Sequence, residues 1–438
     1  MSKTLTPKTQ TKSLTGYEFI QKAGSVEEYR LKTNGLRVLY YHRPDTDVIT
    51  TNITYLVGAR DEARGETGLA HMLEHMIFKP TEADKKAGIA SGRGMKFERE
   101  VGAILNANTW KDRTTYYFSY PKEYFNEALQ IEAERMNGVI LTDEVLKPEQ
   151  GNVLSEFDMY NGDPGFALSV AKCTAAFQSH PYGHETIGFR EDIEDYNAEK
   201  LTKFYRNYYR PDNAVMMVIG DIDRESALKQ VRSHFKDIEN PITPIPRFVI
   251  REPKQEGIRR TTIERPSTTN ILSIGFKHAA FPTQDWFITS IMTYVLTGGQ
   301  DSILHRLLVD SGMASSVGSA IEPTSEINLG SVDIYLAPDH THKNIESLVM
   351  KALTEIKTKD IAGLVKKAKE RSITDEIIGR DSSLSIAAEL TEYVSSGNWK
   401  VYADAQKMIN SITATDIINC IRKSFKSNNL TIGEFIGK

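Results

Sequence analysis

Apolar and polar positions along the chain alternate between two periods, about 2 for strands and about 3.6 for helices. Residues 29–32 and 36–41 alternate as strands, and Asn34-Gly35 between them predicts a hairpin. Residues 49–56 read as a further strand closed by Gly58, after which residues 67–77 take up helical spacing. Residues 114–119 return to strand, followed by helices over 124–136 and about 147–159. A helix at 202–209 is turned by Pro211-Asp212-Asn213 into the apolar strand 214–219, which ends at Gly220-Asp221.

Residues 237–257 contain four prolines in a sparsely apolar stretch, the composition of a crossing between domains. Strand pattern resumes at 271–276 and 329–336. Helices are predicted at about 285–296 and 342–357, and helical text runs through 360–392 and 402–423. The two halves end alike. Residues 202–220 give helix, Pro/Asn turn, strand and Gly; residues 416–437 give helix, Ser427-Asn428-Asn429, strand and Gly437. A tandem duplication would produce this rhyme. The expected fold is α+β, with two domains of mixed, largely antiparallel sheet packed with helices. Their expected bounds are 15–238 and 258–438, joined by a linker at 239–257.

Composition narrows the function. A net charge of −4 over 438 residues argues against a nucleic-acid surface. No window approaches the roughly 20 apolar residues of a membrane span. Residues 1–14 are polar and lack the apolar centre of a signal peptide, which points to the cytoplasm as written; a periplasmic site would require a leader already removed. Cys173 and Cys420 are far apart and outside any CxxC spacing, so they read as small buried hydrophobes.

The candidate chemistry begins at His71-Met72-Leu73-Glu74-His75. His71 and His75 share a helical face and can offer two nitrogens to one tetrahedral ion, with Glu74 beside the open position. This is the inverted form of the HExxH zinc motif. The plainer reading is two unrelated histidines and a helical Glu. A third ligand is needed, and Glu149 and Glu156 stack on one face of a later helix. Glu156 is assigned as ligand and Glu149 as the carboxylate that orients a ligating histidine; by spacing alone they also fit a solvated acidic face. Met72 and Met76 read as packing, and Tyr116 and Tyr117 as opposite faces of a strand. Pro181 and Gly183 break any helix joining His180 to His184, so no second metal site is read there. His340 and His342 are expected in solvent beside a turn.

These motifs together resemble the pitrilysin or insulinase family of inverzincins, which includes mitochondrial processing peptidases and small bacterial relatives. The resemblance rests on residues 71–79, on Asn106-Ala107-Asn108-Thr109 with Asp112, Thr114 and Tyr116, and on residues 132–136 with Glu149 and Glu156. It extends to His180-Pro181-Tyr182-Gly183, Ile187-Gly188 and Pro211-Asp212-Asn213. It implies a half-clamshell of two homologous domains, one of a pair enclosing a chamber, that cuts extended or unfolded peptides. It further implies Zn²⁺ on His71, His75 and Glu156, Glu74 as general base, and Asn106, Ala107, Asn108 and Thr109 as a strand edge that pairs with substrate.

Two departures stand out. Glu156 lies 81 residues beyond His75, several more than the resemblance leads one to expect, and Gly88, Gly92 and Gly94 predict an extra loop within 81–101. In the second half, the Arg and Tyr that many members use to engage substrate fall on Leu308 and Ser315, with Arg306 two positions early. A homodimer would lack that pair on both sides, so the expected partner is a homologous chain that carries it, with a homodimer as the alternative. The competing reading is a non-catalytic chamber subunit that binds peptides, against which stands the intact Glu74.

Overall fold

The computed structural model describes residues 14–438. The polar opening read as no signal peptide therefore lies, apart from Leu14, outside the described residues. One sheet holds β1 (Tyr17–Ala23), β2 (Val26–Leu31), β3 (Arg37–His42), β4 (Val48–Tyr55), β5 (Ile104–Thr109), β6 (Thr114–Pro121) and β7 (Ala214–Gly220). Their order is β1-β2-β3-β7-β4-β6-β5. The other holds β8 (Arg259–Arg265), β9 (Ile271–His278), β10 (Ala314–Ala320), β11 (Asn328–Leu336) and β12 (Leu430–Gly437), in the order β10-β11-β9-β12-β8.

The two sheets repeat one plan. β3 and β7 run parallel, and β7-β4, β4-β6 and β6-β5 are antiparallel. β8 and β12 are likewise parallel, followed by antiparallel β12-β9, β9-β11 and β11-β10. In both halves the last strand follows a helix, Ala198–Tyr208 or Ala414–Ser424, and a short 3₁₀ turn at the Pro/Asn or Ser/Asn segment. The rhyme between the chain ends is thus a repeat of sheet topology, and β1-β2 is an addition to the first copy.

Each half lends a helix to the other. Pro164–Ala176 lies against the second sheet, where Leu168 packs with Ile271 and Phe435. Ser383–Ser395 crosses the first sheet: Ser383 Oγ is 2.8 Å from Thr50 Oγ1, and Thr391 Oγ1 is 3.5 Å from Thr54 Oγ1. Polar ties reinforce the exchange. Arg60 donates to Asp112 (3.0 Å) and to Ser325 (2.7 Å), and Lys172 Nζ donates to Ser273 Oγ (2.6 Å).

The segment 81–101 is two helices rather than the expected loop. Thr81 and Asp84 cap Glu82–Lys86 reciprocally, and Arg93–Val101 buries Phe97 against Phe118, Tyr120 and Tyr124. His342 also departs from expectation. It opens the helix His342–Glu355, half-buried, and its Nε2 donates to the Phe435 carbonyl (3.0 Å), whereas His340 is exposed.

Candidate metal centre

The helix Leu69–Ile77 buries Leu69, Met72, Leu73, Met76 and Ile77 against the first sheet, leaving His71, Glu74 and His75 on its other side. Its start is held by a residue that sequence pattern does not reveal. The Glu62 carboxylate accepts the Gly68 and Ala70 N–H groups, each at 2.8 Å, and His184 Nε2 stands 3.0 Å from it. Gly68 has φ 85°, and a Cβ there would collide with the Ile187 carbonyl, so this tight entry needs glycine.

The carboxylates Glu149 and Glu156 come from the helix Asp143–Gly162, whose start is capped by Thr142. Glu149 and Glu156, two turns apart, both face the histidines. Glu156 Oε2 lies 3.8 Å from His71 Nε2 and 3.6 Å from His75 Nε2, and the two imidazole rings meet edge-on at 4.7 Å. One ligand atom from each of His71, His75 and Glu156 falls within 4.8 Å of the others. These separations approach the ~3.3 Å edge expected for ligands about 2.0–2.1 Å from a tetrahedral zinc. A borderline ion that takes imidazole and carboxylate together suits this donor set, and His71 Nδ1 is buried with no hydrogen-bond partner.

The two histidines are shifted in opposite directions. Burial, helped by the neighbouring His75, pushes His71 down to about 3, so it is the neutral form that a metal needs. His75 is drawn the other way: burial opposes its charge, but Glu149, Glu74 and Glu156 together raise it. Glu149 Oε1 is 2.9 Å from His75 Nδ1, and its other oxygen pairs with Lys79 and accepts from Asn152 (3.3 Å). That hydrogen bond from His75, against the cost of burial, holds the Glu149 carboxyl at about 2.

Burial raises Glu74, partly offset by the Thr109 hydroxyl that donates to its Oε2 (2.5 Å). Thr109 ends β5, the outermost strand, which among the described residues pairs only with β6 and leaves its other edge free. Along β5, Ala107 packs into the first core, Asn106 is exposed with its Oδ1 accepting the Ala107 N–H (2.8 Å), and Asn108 accepts from Arg113. Of the four residues expected at the strand edge, Thr109 alone hydrogen-bonds Glu74.

Met72 and Met76 are fully buried, and Tyr116 is core while Tyr117 is partly exposed. Both cysteines are free; Cys173 is buried and Cys420 half-buried. His180 and His184 pair with separate carboxylates, Glu326 and Glu62. In the second half Leu308 is fully buried, Ser315 lies exposed on β10 with its hydroxyl on the Tyr335 carbonyl (3.3 Å), and Arg306 is exposed and bonded to the Asp301 carbonyl (2.6 Å). Leu308 and Ser315 thus supply neither guanidinium nor phenol. No helix among the described residues is long and apolar enough to cross a membrane.

Known proteins align with this geometry. Residues 37–189, which include His71, Glu74, His75, Glu149 and Glu156, match the model of the insulinase family (peptidase family M16), and residues 195–370 match that of the peptidase M16 inactive domain. The zinc protease PqqE of Helicobacter pylori is 27% identical over 416 residues, covering 91% of this chain and 90% of that protein. A solved protease from Helicobacter pylori superposes with a TM-score of 0.87 at 26% identity, over 94% of this chain and 99% of that one. The periplasmic protease PqqL of Escherichia coli shares the fold, with a TM-score of 0.75 at 16% identity; the match covers 96% of this chain but 48% of PqqL. With its two halves matched in order by the family's two domain models, the chain belongs to the insulinase family of peptidases, M16.

Proposed function

We propose that this chain is a zinc-dependent endopeptidase that cuts extended or unfolded peptides in a chamber formed with a second homologous chain. The observation that carries the reading is the convergence of His71, His75 and Glu156 beside Glu74, next to a free sheet edge. The working units are a zinc-bearing domain at 15–238, a linker at 239–257 and a homologous domain at 258–438.

His71, His75 and Glu156 would hold the ion, and zinc bound there supplies a Lewis acid for the scissile carbonyl and for the attacking water. The remaining steps belong to the chain. Thr109 occupies Glu74 Oε2 and leaves Oε1 to accept the water proton and pass it to the leaving amine. Burial makes that carboxylate a better base than one in solvent. The edge of β5 around Asn106 and Ala107 holds the peptide by main-chain pairing, so selectivity falls to side-chain pockets and chamber size. A substrate carbonyl approaching Ala107 N–H must first displace the Asn106 side chain.

Leu308 and Ser315 favour dependence on a partner, because the Arg/Tyr pair common in the family is missing here. The partner is a homologous chain that brings the pair. The test is cleavage of an unstructured peptide, with zinc content measured, by this chain alone and mixed with a homologous chain carrying the pair. Chelator-sensitive cleavage in the mixture supports the reading. Full activity of the chain alone removes the partner requirement, and a metal-loaded mixture that cleaves nothing leaves the non-catalytic subunit as the better description.

A further inference from the structure

The edge strand β5 is held from two sides, and the second hold comes from the opposite half of the molecule. On the side of the metal helix, Ala107 is buried in the first core and Thr109 bonds Glu74. By strand alternation Asn108 turns to the other face. There Arg113 Nη1 donates to Asn108 Oδ1 and Nη2 donates to Glu392 Oε1. Glu392 belongs to the helix Ser383–Ser395, which Ser383 and Thr391 bond to β4.

The relay is built rather than incidental. The Arg113 side chain is 5% exposed, and its Nε has no hydrogen-bond partner. A guanidinium buried to this degree requires a counter-charge. Among the described residues Glu392 is the one carboxylate that pairs with it. The turn that presents Arg113 is closed by the Trp110 N–H on the Arg113 carbonyl (2.8 Å) and pinned by the Ala59 N–H on the Trp110 carbonyl (3.1 Å). Arg113 is therefore fixed at both ends.

We propose that Glu392 and Arg113 are positioning residues: through Asn108 they hold β5 flat and in register for an incoming peptide, so that the second half sets peptide affinity without touching the metal. The consequence for affinity rests on the peptidase reading above; the mechanical coupling does not. A strand that captures a peptide by main-chain pairing binds more tightly when it is already ordered, because less entropy is lost on binding. Slack in β5 therefore weakens peptide capture while the chemistry at Glu74 stays intact.

The experiment compares Glu392→Ala, Glu392→Gln and Glu389→Ala in the full chain with its partner present. Glu389 sits on the same helix and pairs with Arg380, away from β5, so its variant controls for loss of an ion pair. Expected for Glu392→Ala is a KM for an unstructured peptide raised about tenfold, with kcat within about twofold and zinc content unchanged. Glu392→Gln, whose amide oxygen still accepts from Arg113, should recover most of that loss. Amide hydrogen exchange across β5 should quicken in Glu392→Ala and not in Glu389→Ala. Equal exchange in those two variants, or faster exchange with an unchanged KM, overturns the proposal. A wild-type complex that cleaves nothing defeats the peptidase reading instead, and the exchange comparison then decides the coupling by itself.

Discussion

Glu149 Oε1 stands 2.9 Å from His75 Nδ1, and Lys79 pairs with the other oxygen of the same carboxylate. The bond sets the His75 tautomer: with Nδ1–H donating, Nε2 is left with its lone pair toward Glu156 and His71. A carboxylate behind a ligating imidazole fixes the ring and raises its basicity, and losing it costs metal affinity about 10–100-fold. Glu149→Gln should therefore bind zinc more weakly by that factor while the fold persists. Chelator competition reads this directly, and an affinity equal to wild type would remove Glu149 from the site.

Glu74 and His75 are adjacent, yet their roles separate. Glu74→Gln leaves the three converging donors in place, so the variant should keep its zinc while kcat falls about 10²–10⁴-fold with loss of the general base. His75→Ala deletes a donor and should lose the metal itself. Metal analysis beside single-turnover kinetics distinguishes the two. Equal zinc loss in both variants would contradict the division.

The metal helix was legible because its chemistry and its packing use different positions. His71, Glu74 and His75 share one side, while Leu69, Met72, Leu73 and Met76 supply the buried stripe. Stacking Glu149 and Glu156 on one helix made Glu156 a candidate, and the family resemblance, not the spacing, singled it out. The strands that pattern alone passed over, β1, β5, β8 and β10, all lie at sheet edges, where one side of the strand is unpaired and the alternation is weak, diluted by charge in the RRTTIER of β8. Pro164–Ala176 was missed for the opposite reason. Wedged between the two halves, it lacks a clear polar face. Glu62 and Glu392 could not be read at all, since a cap reaching 6 and 8 residues ahead and a contact across 279 residues leave no periodic trace.

Acid should loosen the join between the halves at Glu28. This buried carboxylate on β2 accepts from Arg37 Nε (2.7 Å), Gln21 (2.6 Å) and the indole N–H of Trp399 from the second half (2.7 Å). Burial pushes its pKa up, but Arg37 and these hydrogen bonds together bring it below its ordinary 4.5. A carboxyl whose pKa is lowered by folding stabilises the fold above its unfolded value and loses that contribution as pH falls through the folded one. Stability should thus drop below about pH 4.5 in the wild type. In Glu28→Gln it should already be lower at pH 7, by ~1–3 kcal/mol, with a shallower acid dependence. Urea unfolding at both pH values measures this, and parallel pH profiles would count against it.

An Arg/Tyr pair at positions 308 and 315 cannot be installed by point substitution, and the reason is local. Leu308 is fully buried in the second core, inside the helical turn His305–Val309 that runs into Gly312 and β10. An arginine there would carry a charge into an apolar cluster, a change that costs several kcal/mol. Ser315 is different: exposed on an edge strand, with one hydroxyl bond to a carbonyl, it can accept a tyrosine at little cost. Leu308→Arg should therefore lower the thermal midpoint sharply and Ser315→Tyr by at most a few degrees. The double variant should gain no activity on its own. A stable Leu308→Arg/Ser315→Tyr chain that cleaves peptide without a partner would show that the second half of this chain can complete the site after all.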